Sequence, residues 1–227
     1  TSLDVQWAHA IAPGARIVVV AAVDNEDTNI LAAQNFAIDN HLGRIMSESF
    51  GESEIDMSSQ TLKANEKSYQ RARNAKISVL ASAGDDGATN PGPDGNEKPF
   101  RNVSYPASSP NVTGVGGTHL FFGTAGHADP NGAYINEVVW NEEASGAGAT
   151  GGGVSVLFRE PGYQHSALKD GARATLNGFR STPDVGYNAD PNRGFAVYDS
   201  VGGGGWTVVG GTSAGAPQWA ALIAIAN

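Results

Sequence analysis

Ser213 sits in the heptapeptide Gly211-Thr212-Ser213-Ala214-Gly215-Ala216-Pro217, which joins a glycine approach, a hydroxyl and a helix start. Trp206-Thr207-Val208-Val209 before it reads as a short strand, and Gln218 to Ile225 after it as a buried helix. The serine therefore falls at a strand-to-helix junction. There its hydroxyl is exposed and its own N–H is one of the unpaired donors of the first helical turn, donors that can hold a developing oxyanion. A serine at that place can equally act only as a helix cap, and the heptapeptide alone allows both readings.

A nucleophilic serine needs an activating base, most often histidine. Of the five histidines, His9 lies in an apolar first helix and is expected to be a buried, hydrogen-bonded structural residue. His41 is at a helix end, and His119, His127 and His165 fall in loops or at strand ends. None has a triad-like setting. The acids are better placed: Asp4 on the first helix, Asp85 at the end of an apolar strand, and Asp184 and Asp190 in the turns Pro183-Asp184-Val185 and Ala189-Asp190-Pro191. A carboxylate can replace histidine in an enzyme that works in acid, where base and acid forms are both available. Serine plus carboxyls is thus the constellation to place.

The elements that must position these groups alternate. An apolar helix from Leu3 to Ala12 is stopped by Pro13-Gly14, and Ile17 to Ala22 follows as an expected buried strand. A helix around Asn29 to Asn40, a strand near Ile45 to Ser49, a polar helix from about Ser58 to Asn74 and the strand Ile77 to Ser82 come next. All-apolar strands alternating with helices predict an α/β fold with a mostly parallel sheet covered on both faces, and such sheets bind ligands beyond the carboxyl ends of their strands. Ser47-Glu48-Ser49-Phe50-Gly51 and Ala83-Gly84-Asp85-Asp86-Gly87 end two strands there. Ala88 to Asn102 and Asn141 to Gly153 read as loops; neither has the strand–turn–helix context of a nucleotide fingerprint.

Composition narrows the function classes. A chain of 227 residues with 40% hydrophobic and 16% charged residues can bury one sizeable core, and a single domain over residues 1–227 is expected. The net charge of −9 argues against a nucleic-acid or anionic-membrane partner, each of which needs a basic patch. The absence of cysteine excludes disulfides, thiol nucleophiles and zinc–thiolate sites. No signal peptide or bilayer-length apolar segment is visible.

Six stretches, in order along the whole chain, resemble the sedolisins, the serine-carboxyl peptidases. They are Leu3 to Ala15, Ser82-Ala83-Gly84-Asp85-Asp86-Gly87-Ala88, Tyr105 to Pro110, Gly151-Gly152-Gly153-Val154-Ser155, the two aspartate turns at 183–191, and Gly211-Thr212-Ser213-Ala214. The resemblance implies a subtilisin-like, doubly wound sheet with helices on both faces, and acid endopeptidase activity. It implies Ser213 as nucleophile, Asp4 as the relay aspartate and Asp85 as an oxyanion-hole donor. The general base of that family is a glutamate four residues before the aspartate, which here falls one position ahead of Thr1; four-residue spacing stacks two carboxyls on one helix face. The family's calcium site lies well after the serine, so calcium is expected in the full-length protein and no metal site within these residues. A peptide or protein substrate, possibly an amino-terminal propeptide, a monomeric state and a secreted, extracellular location follow from the same resemblance.

Independently of family, the strand ends suggest where an extended peptide lies: along Ser49-Phe50-Gly51, with Phe50 walling a pocket, and along Gly151-Gly152-Gly153, where missing side chains let a second backbone approach. Bland alternatives stand beside these roles. Asp4 can be a first-turn acid favoured by the helix dipole, and Asp85 a turn residue. Tyr105-Pro106 resembles a pocket-lining turn of the subtilisin-like fold in which a cis peptide is plausible, while an ordinary trans turn is the general expectation for an X-Pro bond. Asn102-Val103-Ser104 and Asn111-Val112-Thr113 match the glycosylation sequon, with Asn111 leading into a strand. Two other functions compete: a neutral protease with a histidine triad, which lacks a suitably placed histidine, and a peptide-binding domain without catalysis.

Overall fold

The structure is a computed structural model and describes residues 1–92, 95–96, 98–123, 133–201 and 204–227. In chain order it contains α1 (Ser2–Ile11), α2 (Asp27–Asp39), β1 (Ile45–Glu48), β2 (Glu52–Ser53), α3 (Ser59–Asn74), β3 (Ser78–Ser82), β4 (Ser104–Tyr105), β5 (Thr113–Phe122) and β6 (Tyr134–Val139). These are followed by β7 (Gly153–Arg159), α4 (Gly162–Ala167), α5 (Asp170–Leu176), β8 (Phe179–Thr182), β9 (Val185–Asn188), β10 (Phe195–Asp199), β11 (Gly205–Val209) and α6 (Thr212–Ala226). The expected α/β architecture is present. In the central sheet β1, β3, β5 and β9 are parallel, and β6 folds back antiparallel onto the second half of β5.

The two faces of β3 are sorted by its alternating side chains. Val79 and Ala81 enter a core with Ile38 of α2, Tyr69 and Ala72 of α3, and Val112. Leu80 points the other way, into a core with Val115 and Ala216, against which Trp219 and Ile223 of α6 pack. Helices thus cover both faces, α2 and α3 on one and α6 with α1 on the other. Polar α3 is held by this packing and by its ends: the Ser58 hydroxyl accepts the Thr61 N–H at 3.0 Å, and Arg71 and Arg73 face the carbonyl end of the dipole. No described helix is long and apolar enough to cross a membrane.

Several expectations are corrected. Residues 17–22 form no strand: among the described residues they have no ladder partner, and Val19 is 59% exposed. An apolar run becomes a strand only when a neighbouring edge takes up its N–H and C=O groups, and the described sheet ends at β1. His9 is exposed rather than buried, because α1 buries no residue fully. His119 lies near the end of β5, as one of the expected placements had it, whereas His165 lies within α4 and not in a loop; His127 lies outside the described residues. The helix after Ser213 is buried over its first half only, with Leu222 and Ile225 exposed. Tyr105–Pro106 is cis, as is Thr182–Pro183. Asn102 of the first sequon is buried, and the Asn111 amide of the second donates to Glu66.

Candidate active site

The carboxyl ends of β1 and β3 and the start of α6 converge on a cleft of about 290 Å³ lined by Ser49, Phe50, Gly51, Gly84, Asp85 and Ser213, among others. Gly210 and Gly211 turn the chain from β11 into α6. Gly211 has φ 94° and a Cβ there would come within 2.5 Å of Asp85 Oδ2, so the position needs glycine for both conformation and space. Ser213 is the second residue of α6, where its N–H has no intrahelical acceptor.

Asp85 reaches this helix start from the end of β3. Its Oδ1 accepts both the Thr212 N–H and the Thr212 hydroxyl, each at 2.7 Å. The same hydroxyl stands 3.1 Å from the Gly84 N–H, which donates to it. Asp85 therefore fastens the helix that carries Ser213 and leaves Oδ2 beside the Gly211–Ser213 turn. Asp4 approaches from α1. The Ser49 hydroxyl makes a short hydrogen bond to Asp4 Oδ1 and lies 3.1 Å from the carbonyl of Ser213.

The carbonyl of Ser213 is available to Ser49 for a reason readable four residues on. Pro217 lies inside α6 and has no N–H to donate back to residue 213. Ser49 stands at that vacancy within reach of both acceptors and donates its one proton to either Asp4 or the Ser213 carbonyl, so Asp4, Ser49 and Ser213 lie in one chain of contacts. Behind them Glu48 is buried and accepts from the Tyr69 hydroxyl (2.8 Å) and the Gln34 amide (2.9 Å); burial nonetheless pushes its carboxyl up to about 7.

Of the expected site residues, Ser213, Asp4, Asp85, Ser49, Phe50 and Gly51 come together. Gly151, Gly152 and Gly153 do not line this cleft; they border a neighbouring groove of about 480 Å³ with Gly116 and Pro183. The backbone that approaches Gly151 belongs to the chain itself: its N–H donates to the Gly84 carbonyl at 2.7 Å, and a Cβ would overlap the Ala83 carbonyl. Asp184 is taken up by fully buried Arg180 (2.6 Å) and by the Gly114 N–H (2.8 Å). Among the described residues no histidine lines the cleft. Residue types alone did not mark Thr212 as the anchor of Asp85; Pro217 was a visible sign of the Ser49 link, since a proline four residues after any helical carbonyl frees it.

The sequence profile of the subtilase family matches residues 3–227. Kumamolisin of Bacillus sp. (strain MN-32) is 39% identical over 99% of this chain and 38% of its own length. Sedolisin of Pseudomonas sp. (strain 101) is 34% identical over 87% of this chain and 32% of its own length. The chain thus spans about a third of the length of these relatives. Among solved structures, a Pseudomonas sedolisin, described as a serine-carboxyl proteinase complexed with two molecules of pseudo-iodotyrostatin, superposes with a TM-score of 0.82 at 31% identity, over 99% of this chain and 61% of that one.

Proposed function

The chain belongs to the subtilase family, in its sedolisin branch, and from that premise we propose that it is the catalytic core of a serine-type endopeptidase acting at acid pH. The observation that carries this reading is the Ser49 hydroxyl, which links the Asp4 carboxyl to the backbone of Ser213 at the mouth of the cleft.

In the proposed reaction Ser213 Oγ attacks the peptide carbonyl, and its proton passes to the carboxyl relay of which Asp4 is a member. The relay's glutamate, by family resemblance, stands one position ahead of Thr1. The oxyanion accepts hydrogen bonds from the Ser213 N–H and from the O–H of a protonated Asp85, with Oδ1 still accepting from Thr212. The proton returns to the leaving amine as the carbon–nitrogen bond breaks, and water then hydrolyses the acyl-enzyme by the same path. An extended peptide lies along Ser49-Phe50-Gly51 against the half-open face of Phe50, with the groove at Gly152 and Gly153 as a place for its other edge. A secreted, monomeric enzyme made with an amino-terminal propeptide fits this chemistry.

In the full-length protein, Ser213→Ala is expected to abolish hydrolysis of a denatured protein at about pH 4 while leaving the melting temperature close to that of the parent. A peptide aldehyde should add one inhibitor mass to Ser213 of the parent. Activity retained without Ser213, or an adduct on another residue, overturns the assignment. Peptide binding by the parent without hydrolysis favours the non-catalytic alternative.

A further inference from the structure

Away from the cleft, three side chains from three separate segments meet: His119 of β5, Glu142 of the loop after β6, and Asp190 of the turn after β9. His119 Nδ1 is 3.2 Å from Glu142 Oε1 and 3.2 Å from Asp190 Oδ2. Asp190 is fully buried, while the Glu142 side chain is 32% exposed. Asp190 Oδ1 caps its turn by accepting the Asn192 N–H at 2.9 Å, but Oδ2 has no hydrogen-bond donor among the described residues. A buried carboxylate oxygen without a donor is costly.

The three ligand atoms lie within 4.8 Å of one another, and something must stand between them to offset their lone pairs. A proton on Nδ1 serves the Glu142 contact, which has hydrogen-bond geometry, and leaves Asp190 Oδ2 unpaired. A metal ion serves all three. Ligand atoms about 2.0–2.2 Å from Zn²⁺ stand roughly 3.3 Å apart, close to the 3.2 Å from His119 Nδ1 to each carboxylate oxygen. One imidazole nitrogen with two carboxylate oxygens is a donor set for zinc-class ions, and the exposed side of Glu142 supplies an entry path and a position for water.

We propose that His119, Glu142 and Asp190 bind one Zn²⁺-class divalent cation, at a structural site distinct from the catalytic cleft. Such an ion would brace the cleft from behind. Ala189, next to Asp190, accepts the Gly211 N–H at 2.7 Å, and Ala149, in the Glu142 loop, donates to the Asp85 carbonyl at 2.8 Å.

The test uses full-length protein, stripped by chelator and returned to calcium-containing buffer at pH 7. Calorimetric titration with Zn²⁺ is expected to show one equivalent bound and a raised melting temperature, and Co²⁺ should give a visible absorption band characteristic of an N/O site. His119→Gln and Glu142→Gln should each weaken binding at least tenfold and remove the band, with unchanged far-ultraviolet circular dichroism showing that the fold survives. His165→Ala, at a separate His–Glu pair, should leave binding unchanged. Absence of stoichiometric binding in the parent, or equal affinity in His119→Gln and Glu142→Gln, overturns the proposal and leaves a proton-bridged contact.

Discussion

Asp85 carries two duties, and a single atom divides them. Oδ1 receives both Thr212 donors and so holds the start of α6, whereas Oδ2 faces the turn where the proposed oxyanion forms. Asp85→Asn preserves an acceptor at Oδ1 and puts an N–H donor in place of Oδ2. Asp85→Ala removes both. In the full-length protein the asparagine variant is therefore expected to melt near the parent and retain more activity than the alanine variant. Its alkaline limit should move upward or vanish, because an amide does not ionise. The alanine variant should also lose about 1–3 kcal/mol of stability, because the Thr212 N–H and hydroxyl are left without their acceptor. A pH–rate profile for Asp85→Asn identical to the parent's would leave Asp85 with its anchoring duty alone.

At the scale of elements, α6 presses so closely on the sheet that its fourth residue must be glycine. A Cβ on Gly215 would stand 2.9 Å from Tyr187 Cβ and from Val115 Cγ1. Neither is the far end of a flexible chain, so helix and sheet would have to separate. In an unconstrained helix Gly→Ala gains about 1 kcal/mol; here overpacking costs about 1–3 kcal/mol. Gly215→Ala is expected to destabilise on balance and, by lifting the start of α6, to lower activity more than the fall in melting temperature alone would. A rise in melting temperature on denaturation would show that the contact is looser than the structure has it.

For the molecule as a whole, buried Glu48 makes stability depend on pH in an unusual direction. Burial raises its folded-state value to about 7 from the ordinary 4.5, outweighing the hydrogen bonds from Tyr69 and Gln34. The folded state thus holds the proton more tightly than the unfolded chain. The stabilising contribution is complete below about 4.5 and is lost as pH rises through about 7, an effect on the order of 3 kcal/mol. Through this group the protein should be more stable in mild acid than at neutrality, in the same direction as the acid activity proposed above. Glu48→Gln should flatten the melting temperature between pH 4.5 and 7 and raise it at pH 7.5. An unchanged slope in that variant would mean that other groups set the pH dependence.

The pattern of apolar runs and breakers was enough to place α1, α2, α3, β1 and β3 within a residue or two, because each carries its own periodicity and stop residues. It also marked Ser213, Asp4 and Asp85 as candidates, since a serine at a helix start, an acid in a first helical turn and an acid at a strand end are local features. It misplaced residues 17–22, whose strand character depends on an edge that the sequence does not display. It assigned Gly151 to substrate, although the backbone pressing on it is Ala83, distant in the chain. It treated His119 and Asp190 separately, 71 residues apart in a turn and a strand with no shared motif. Local composition determines which elements form and which residues have reactive groups; which groups share a proton, a carbonyl or an ion is decided by long-range packing, because their partners arrive on segments whose spacing in sequence carries no trace of their distance in space.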